Sequence, residues 1–166
     1  MWIRIVYWLL IVTFQVLVLN HLDFSAFVIP QIFIILLISM PLGWSKMTQV
    51  SAGFGLGILA DLFVSTPGIH ASACLWLVLL RIGILNTQDI KQQIASKMDY
   101  DVKSVGLNSF LYSSTILVFF YHFYIFWIQN IGSLQWSNYV LTSMISSVLA
   151  ITLIWILQYL TFQHKS

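Results

Sequence analysis

Six apolar runs, each near the length that crosses a bilayer and separated by short polar connections, constrain this chain more than any single residue does. They fall at about 3–19, 28–44, 49–64, 68–85, 105–129 and 139–160, and a spanning helix needs about 20 mostly apolar residues. Composition removes the alternative of a soluble core. Only 7% of the 166 residues are charged, while 60% are apolar and 16% aromatic; soluble domains carry roughly 25% charged residues. The predicted fold class is therefore an all-α integral membrane protein of about six transmembrane helices, a single polytopic domain over 1–166. The second and third runs are short, which leaves open a five-span arrangement with one re-entrant hairpin. The first run, with Arg4 at its start and followed by Asn20, His21 and Asp23 without a small-x-small processing site, reads as a retained span and not a cleaved signal.

Prolines and turn residues set the expected ends. Pro30 suits the first turn of the second helix, and Pro41 should bend or end it. Thr66 is placed to cap the fourth helix and Pro67 to start it. Basic residues then orient the bundle, because short cytoplasmic loops collect Lys and Arg. Arg4, Lys46, Arg81, Lys91, Lys97, Lys103 and Lys165 all fall on one side of the six-span arrangement, while the connections at 20–27, 64–67 and 130–138 hold none. Both termini are expected to be cytoplasmic.

The cytoplasmic connection 86–104 carries Ile90, Ile94, Met98 and Val102 at spacings of four, a one-faced helical period. It reads as a surface helix under the bundle, or as a docking face for a cytoplasmic partner.

Chemistry requires clusters, and the sequence offers none. His21, His70, His122 and His164 stand in different segments without metal-ligand spacing, and no glycine-rich phosphate loop is present. Neither catalysis nor a cofactor nor a metal is expected, and no nucleic-acid partner. Cys74, the single cysteine, sits in an apolar run and reads as a small buried hydrophobe.

Asp61 is the strongest single feature, because an ionisable residue at membrane depth costs ~2.5–3.5 kcal/mol on insertion scales. Gly53, Gly57 and Asp61 recur every four residues and so share one helix face, where a close-packed neighbour belongs. Twelve residues beyond Gln49, Asp61 lies about 18 Å along its helix, in the outer leaflet. If the fourth helix folds directly back, Asp61 comes level with His70 and near the free N–H groups of that helix start. The first expectation is that the acid locks the hairpin; a partner or ligand contact and a proton relay are the alternatives. Two weakly polar stripes, Thr142, Ser143, Ser146, Ser147 and Ala150 in the sixth run and Asn108, Tyr112 and Thr115 in the fifth, mark either close packing within the bundle or a seam for another protein's membrane helix. Residues 119–127, FFYHFYIFW, read as an interfacial aromatic belt.

Gly53 and Phe54, then Gly57, Asp61, Pro67 and Gly68, with His70 and Ala71, after a proline-opened short span at Pro30, Gln31 and Pro41, resemble the rod shape-determining MreD family. Length and span number agree over essentially the whole chain; where many members have Gly-Leu, this chain has Gly57-Ile58. The resemblance implies a non-enzymatic scaffold in the bacterial inner membrane. Such a scaffold binds MreC and connects to MreB filaments and to the peptidoglycan synthase pair of RodA and a penicillin-binding protein. It also implies a fold similar to the S components of energy-coupling-factor transporters. A substrate-binding uptake subunit is thus the alternative function, against which the first run lacks an Ala-x-x-x-Ala docking face.

Overall fold

A computed structural model describes residues 2–19, 30–88, 90, 94–95, 98–132 and 136–163. They form α1 (Trp2–Leu17), α2 (Ile34–Ile38), α3 (Lys46–Val64), α4 (Ile69–Thr87), α5 (Val102–Val105), α6 (Leu107–Gln129) and α7 (Trp136–Gln163). Four of these, α3, α4, α6 and α7, are long and apolar enough to cross a membrane. At 16 residues, α1 falls short of the usual spanning length.

The four long helices form a row in which α3 packs on α4, α4 on α6, and α6 on α7. α2 lies against both α4 and α6. Local chemistry explains the ends. Ser45 caps α3 by accepting from Thr48 N at 3.1 Å, and α3 stops at Ser65, whose left-handed backbone (φ 58°) breaks the ladder. A reciprocal Asp101–Ser104 capping box opens α5.

The second span does not form as predicted. No helix covers 28–44: residues 28–29 lie outside the described residues, 30–31 are irregular, 32–33 form a turn, and the helix is confined to Ile34–Ile38. Five residues at 1.5 Å each make only ~8 Å of helix. A helix over the whole run would have bonded its own backbone. Here other elements do so from both ends, and all five α2 residues are buried. An all-apolar helix such as IILLI presents no polar face, so it is stable only when enclosed on every side.

The connection 86–104 also departs from expectation. Part of it, residues 89, 91–93 and 96–97, lies outside the described residues. The remainder is no one-faced helix: Ile90 is buried while Ile94 and Met98 are exposed. Before α5 begins, residues 98–99 pair with the chain that leaves α2, with Leu42 N donating to Met98 O at 2.8 Å and Pro41 bridged to Asp99. Pairing with the chain that leaves α2 displaces helical pairing there. Arg81, placed by sequence near the end of the fourth run, does lie in α4, but at 1% exposure it is enclosed by protein and so carries no weight in the orientation.

Candidate functional site

Two layers of buried polar side chains flank α2. On α3, Gln49 and Asp61 mark them, twelve residues or about 18 Å apart. Between them lie Ile34–Ile38 with Cys74, Leu77, Val78, Leu117 and Val118, all buried.

In the layer at the α3–α4 turn, Asp61 is 7% exposed and receives four hydrogen bonds. Its Oδ1 accepts from His70 N at 2.8 Å and Thr66 Oγ1 at 3.1 Å. Its Oδ2 accepts from Ala71 N at 2.9 Å and Gly68 N at 3.0 Å. The α4 N-cap, Gly68, has no side chain to offer and a φ of 87° that favours glycine. Asp61 therefore caps α4 from the preceding helix, in place of the Thr66 cap expected from sequence. Ile69 N donates to Thr66 O and Ser72 N to Gly68 O, so every N–H from Gly68 to Ser72 is occupied. A carboxylate is suited to this position because a helix start presents several N–H donors and the positive end of its dipole.

Gly57 makes the reach short enough. A Cβ built there would lie 2.5 Å from Ala71 Cα and 2.7 Å from His70 O, both backbone atoms that cannot step aside. At Gly53 the obstacle is the Val78 side chain, at 2.6 Å. Phe54 points outward at 45% exposure, and Pro67 and Gly68 lie in the exposed turn.

His70 meets Asp61 through its amide and not its ring. The imidazole Nδ1 pairs with the Tyr121 hydroxyl at 2.8 Å, and Phe33 packs edge-on to Tyr121 with centroids 6.0 Å apart. Beside them, His122 Nε2 accepts from Gln31 N at 3.2 Å while Nδ1 lies 2.8 Å from Val118 O. That pairing requires a neutral ring with its proton on Nδ1. Gln15 of α1 completes the layer, accepting from Ile32 N at 2.8 Å and donating to Pro30 O at 3.2 Å.

In the other layer, Arg81 holds the far end of α2. Its Nε donates to Ile38 O at 2.9 Å, NH2 to Met40 O at 2.6 Å and NH1 to Gln49 Oε1 at 2.6 Å. The guanidinium also lies 5.6 Å over the Tyr100 ring, within cation–π range. The Tyr100 hydroxyl is 2.7 Å from Ser113 Oγ and 3.0 Å from Gln88 Oε1. Non-helical backbone is tolerated at membrane depth only when buried and bonded by protein. Gln15, His122 and Arg81 bond the ends of α2, and Gln49 and Tyr100 brace Arg81.

Sequence reasoning missed this second set. The burial of Arg81 could have been found from its apolar neighbours Val78, Leu79, Leu80 and Ile82, which enclose it within the fourth run; Gln15, Gln49 and His122 gave no comparable signal.

The predicted partner face on α7 is covered by the chain's own helices. Ser143, Ser146, Ser147 and Ala150 are 0–1% exposed, and Thr142 is partly exposed. Ser143 and Ser147 hydroxyls donate back to Val140 O and Ser143 O, which lets small side chains bring α6 close. The α6 stripe points the other way: Asn108, Tyr112 and Thr115 are all exposed.

Among the described residues no group of three or more His, Cys, Asp and Glu is arranged to hold a metal. Comparison with protein-family models, curated proteins and solved structures finds no match to this chain. What the two layers do chemically is bond backbone.

Proposed function

We propose that this chain is a non-enzymatic scaffold of the bacterial cell-elongation machinery, of the MreD type, seating the membrane helix of an MreC-like partner on the outward face of α6. The observation that carries this reading is the outward polar stripe of Asn108, Tyr112 and Thr115, on a helix otherwise long and apolar enough to span. Polar groups facing hydrocarbon are costly, and a neighbouring helix that hydrogen-bonds them removes the cost. The partner would link the bundle to MreB, RodA and a penicillin-binding protein. In this reading α1 and the 30–44 segment complete six crossings in the inner membrane, with Lys46 and Lys103 on the cytoplasmic side.

The stretch that carries the family resemblance acts as a structural lock, as a scaffold requires. An uptake subunit needs a central cavity, whereas α2 fills the middle of this bundle with buried side chains; this favours the scaffold over the transporter alternative.

A photo-reactive amino acid at Tyr112 should capture a single-span protein in rod-shaped cells, while the same group at Ser146 captures none. Co-purification of a coupling ATPase and a small molecule, with no protein captured at Tyr112, would overturn the reading.

A further inference from the structure

The end of α3 leaves carbonyls over. A helix terminus has four C=O groups without an intrahelical partner, and here Ser65 N and Thr66 N both donate to Asp61 O. Pro67 has no N–H to give. No donor among the described residues reaches the carbonyl of Phe63 or Val64. The segment entering α2 carries the opposite surplus. Gln31 is 6% exposed, and its backbone N–H donates to His122, but its side-chain amide has no hydrogen-bond partner among the described residues. Gln15 cannot serve it, because its own Oε1 and Nε2 are taken by Ile32 N and Pro30 O.

Gln31, Phe63 and Val64 line one cavity, flanked by Val12 and Val16 of α1 and by Ala60 of α3. It offers about 20 Å³ to the centre of a water-sized sphere, and one water needs ~10–15 Å³ measured in that way. Size and chemistry together select the occupant. An acyl chain or a partner's side chain does not fit in room for one water. A methyl group would fit but would leave the amide and the carbonyls unbonded, which is costly for groups shielded from solvent. A water molecule can accept from the amide and donate to a carbonyl at the same time.

We propose that this cavity is a binding site for one ordered water, which accepts from the Gln31 side-chain amide and donates to a free carbonyl at the end of α3. The water ties the chain entering α2 to α3, an element to which neither Gln15 nor His122 connects it. Nothing in this depends on the scaffold reading.

The test uses the full chain in lipid nanodiscs and reads magnetisation transfer from water to the Gln31 side-chain NH₂ by ¹⁵N-resolved NMR. A cross-peak to water with the sign of a long-lived, bound molecule is expected in the unaltered chain. Ala60→Val, which adds two methyl groups to the cavity wall, should abolish it. Thermal melting gives an independent sign. Gln31→Met keeps the length of the side chain and removes the amide; with a bound water it loses a hydrogen bond, and the melting temperature should fall by about 2–4 °C. Were the amide unbonded, its removal would relieve a buried polar group and the melting temperature would rise. No water cross-peak in the unaltered chain, a cross-peak to this chain's own protons in its place, its survival in a folded Ala60→Val protein, or a Gln31→Met protein as stable as the unaltered chain or more so would each overturn the proposal. If Ala60→Val does not fold, the unaltered chain and Gln31→Met decide between them, and both must give the expected result.

Discussion

The α3–α4 turn and the chain around α2 both break helical backbone inside the bundle, and they are repaired in opposite ways. At the turn, one carboxylate reaches forward five to ten residues, from Asp61 to Thr66, Gly68, His70 and Ala71. Around α2, the partners come from far along the chain: Gln15 bonds Ile32, Arg81 bonds Ile38 and Met40, and His122 bonds Gln31. The first repair can form as soon as the hairpin does. The second exists only after α1, α4 and α6 have assembled around α2, so it reports on the whole bundle.

The largest effect should come from Arg81→Met, which keeps apolar volume and removes the donors to two buried carbonyls and Gln49. Each unpaired buried acceptor costs ~1–3 kcal/mol, and relief of the buried charge offsets part of that. We expect a loss of about 3 kcal/mol, which corresponds to a melting temperature lower by roughly 6–12 °C for a chain of this size. Hydrogen exchange should rise at 31–42 and stay low at 66–72. Equal loosening of both regions would mean that the two repairs are not separable.

Asp61→Ala is the complementary break, with an expected cost of ~2–3 kcal/mol from three orphaned N–H groups in the first turn of α4. Exchange should rise at 66–72 and not at 31–42. Asp61→Asn should cost about half as much. Its amide NH₂ must replace one oxygen, and either oxygen faces two donors. A fully stable Asp61→Asn protein would show that only one oxygen of the carboxylate matters.

The same contrast explains what could be read from sequence. Four helices long and apolar enough to span, and the hairpin, were legible because their signals are local: apolar runs, and the four-residue spacing of Gly53, Gly57 and Asp61. The role of Asp61 was legible in kind, as a lock near a helix start, but its bonding to amides and not to the His70 ring was not. The 28–44 run misled because apolar composition looks the same in a spanning helix and in a short enclosed one. What distinguishes them is whether remote Gln, His and Arg side chains meet the backbone, and no local pattern encodes that. The α7 serine face and the α6 stripe were equally ambiguous, since small polar residues suit close packing within a bundle as well as against a partner.

Glycine substitutions probe the hairpin at smaller amplitude. Gly57→Ala should cost about 2 kcal/mol, within the ~1–3 kcal/mol of overpacking, because its Cβ meets the α4 backbone. Gly53→Ala meets a valine methyl that can shift, and should cost clearly less. Melting of the two variants side by side decides whether backbone contact sets the hairpin.

The smallest effect tests the α2 repair at its other end. In His122→Gln the amide oxygen can still accept from Gln31 N, and the amide nitrogen is a poor substitute for Nδ1 at Val118 O, so about one hydrogen bond, ~1 kcal/mol, should be lost. His122→Leu fills similar space but leaves Gln31 N without an acceptor, and should cost more. The order matters because it separates packing from bonding. If Leu is tolerated as well as Gln, the imidazole fills space beside Tyr121 and α2 is held at this end by Gln15 alone; if Gln is clearly better, the neutral ring is a backbone acceptor and α2 is held at both ends by side chains from distant helices.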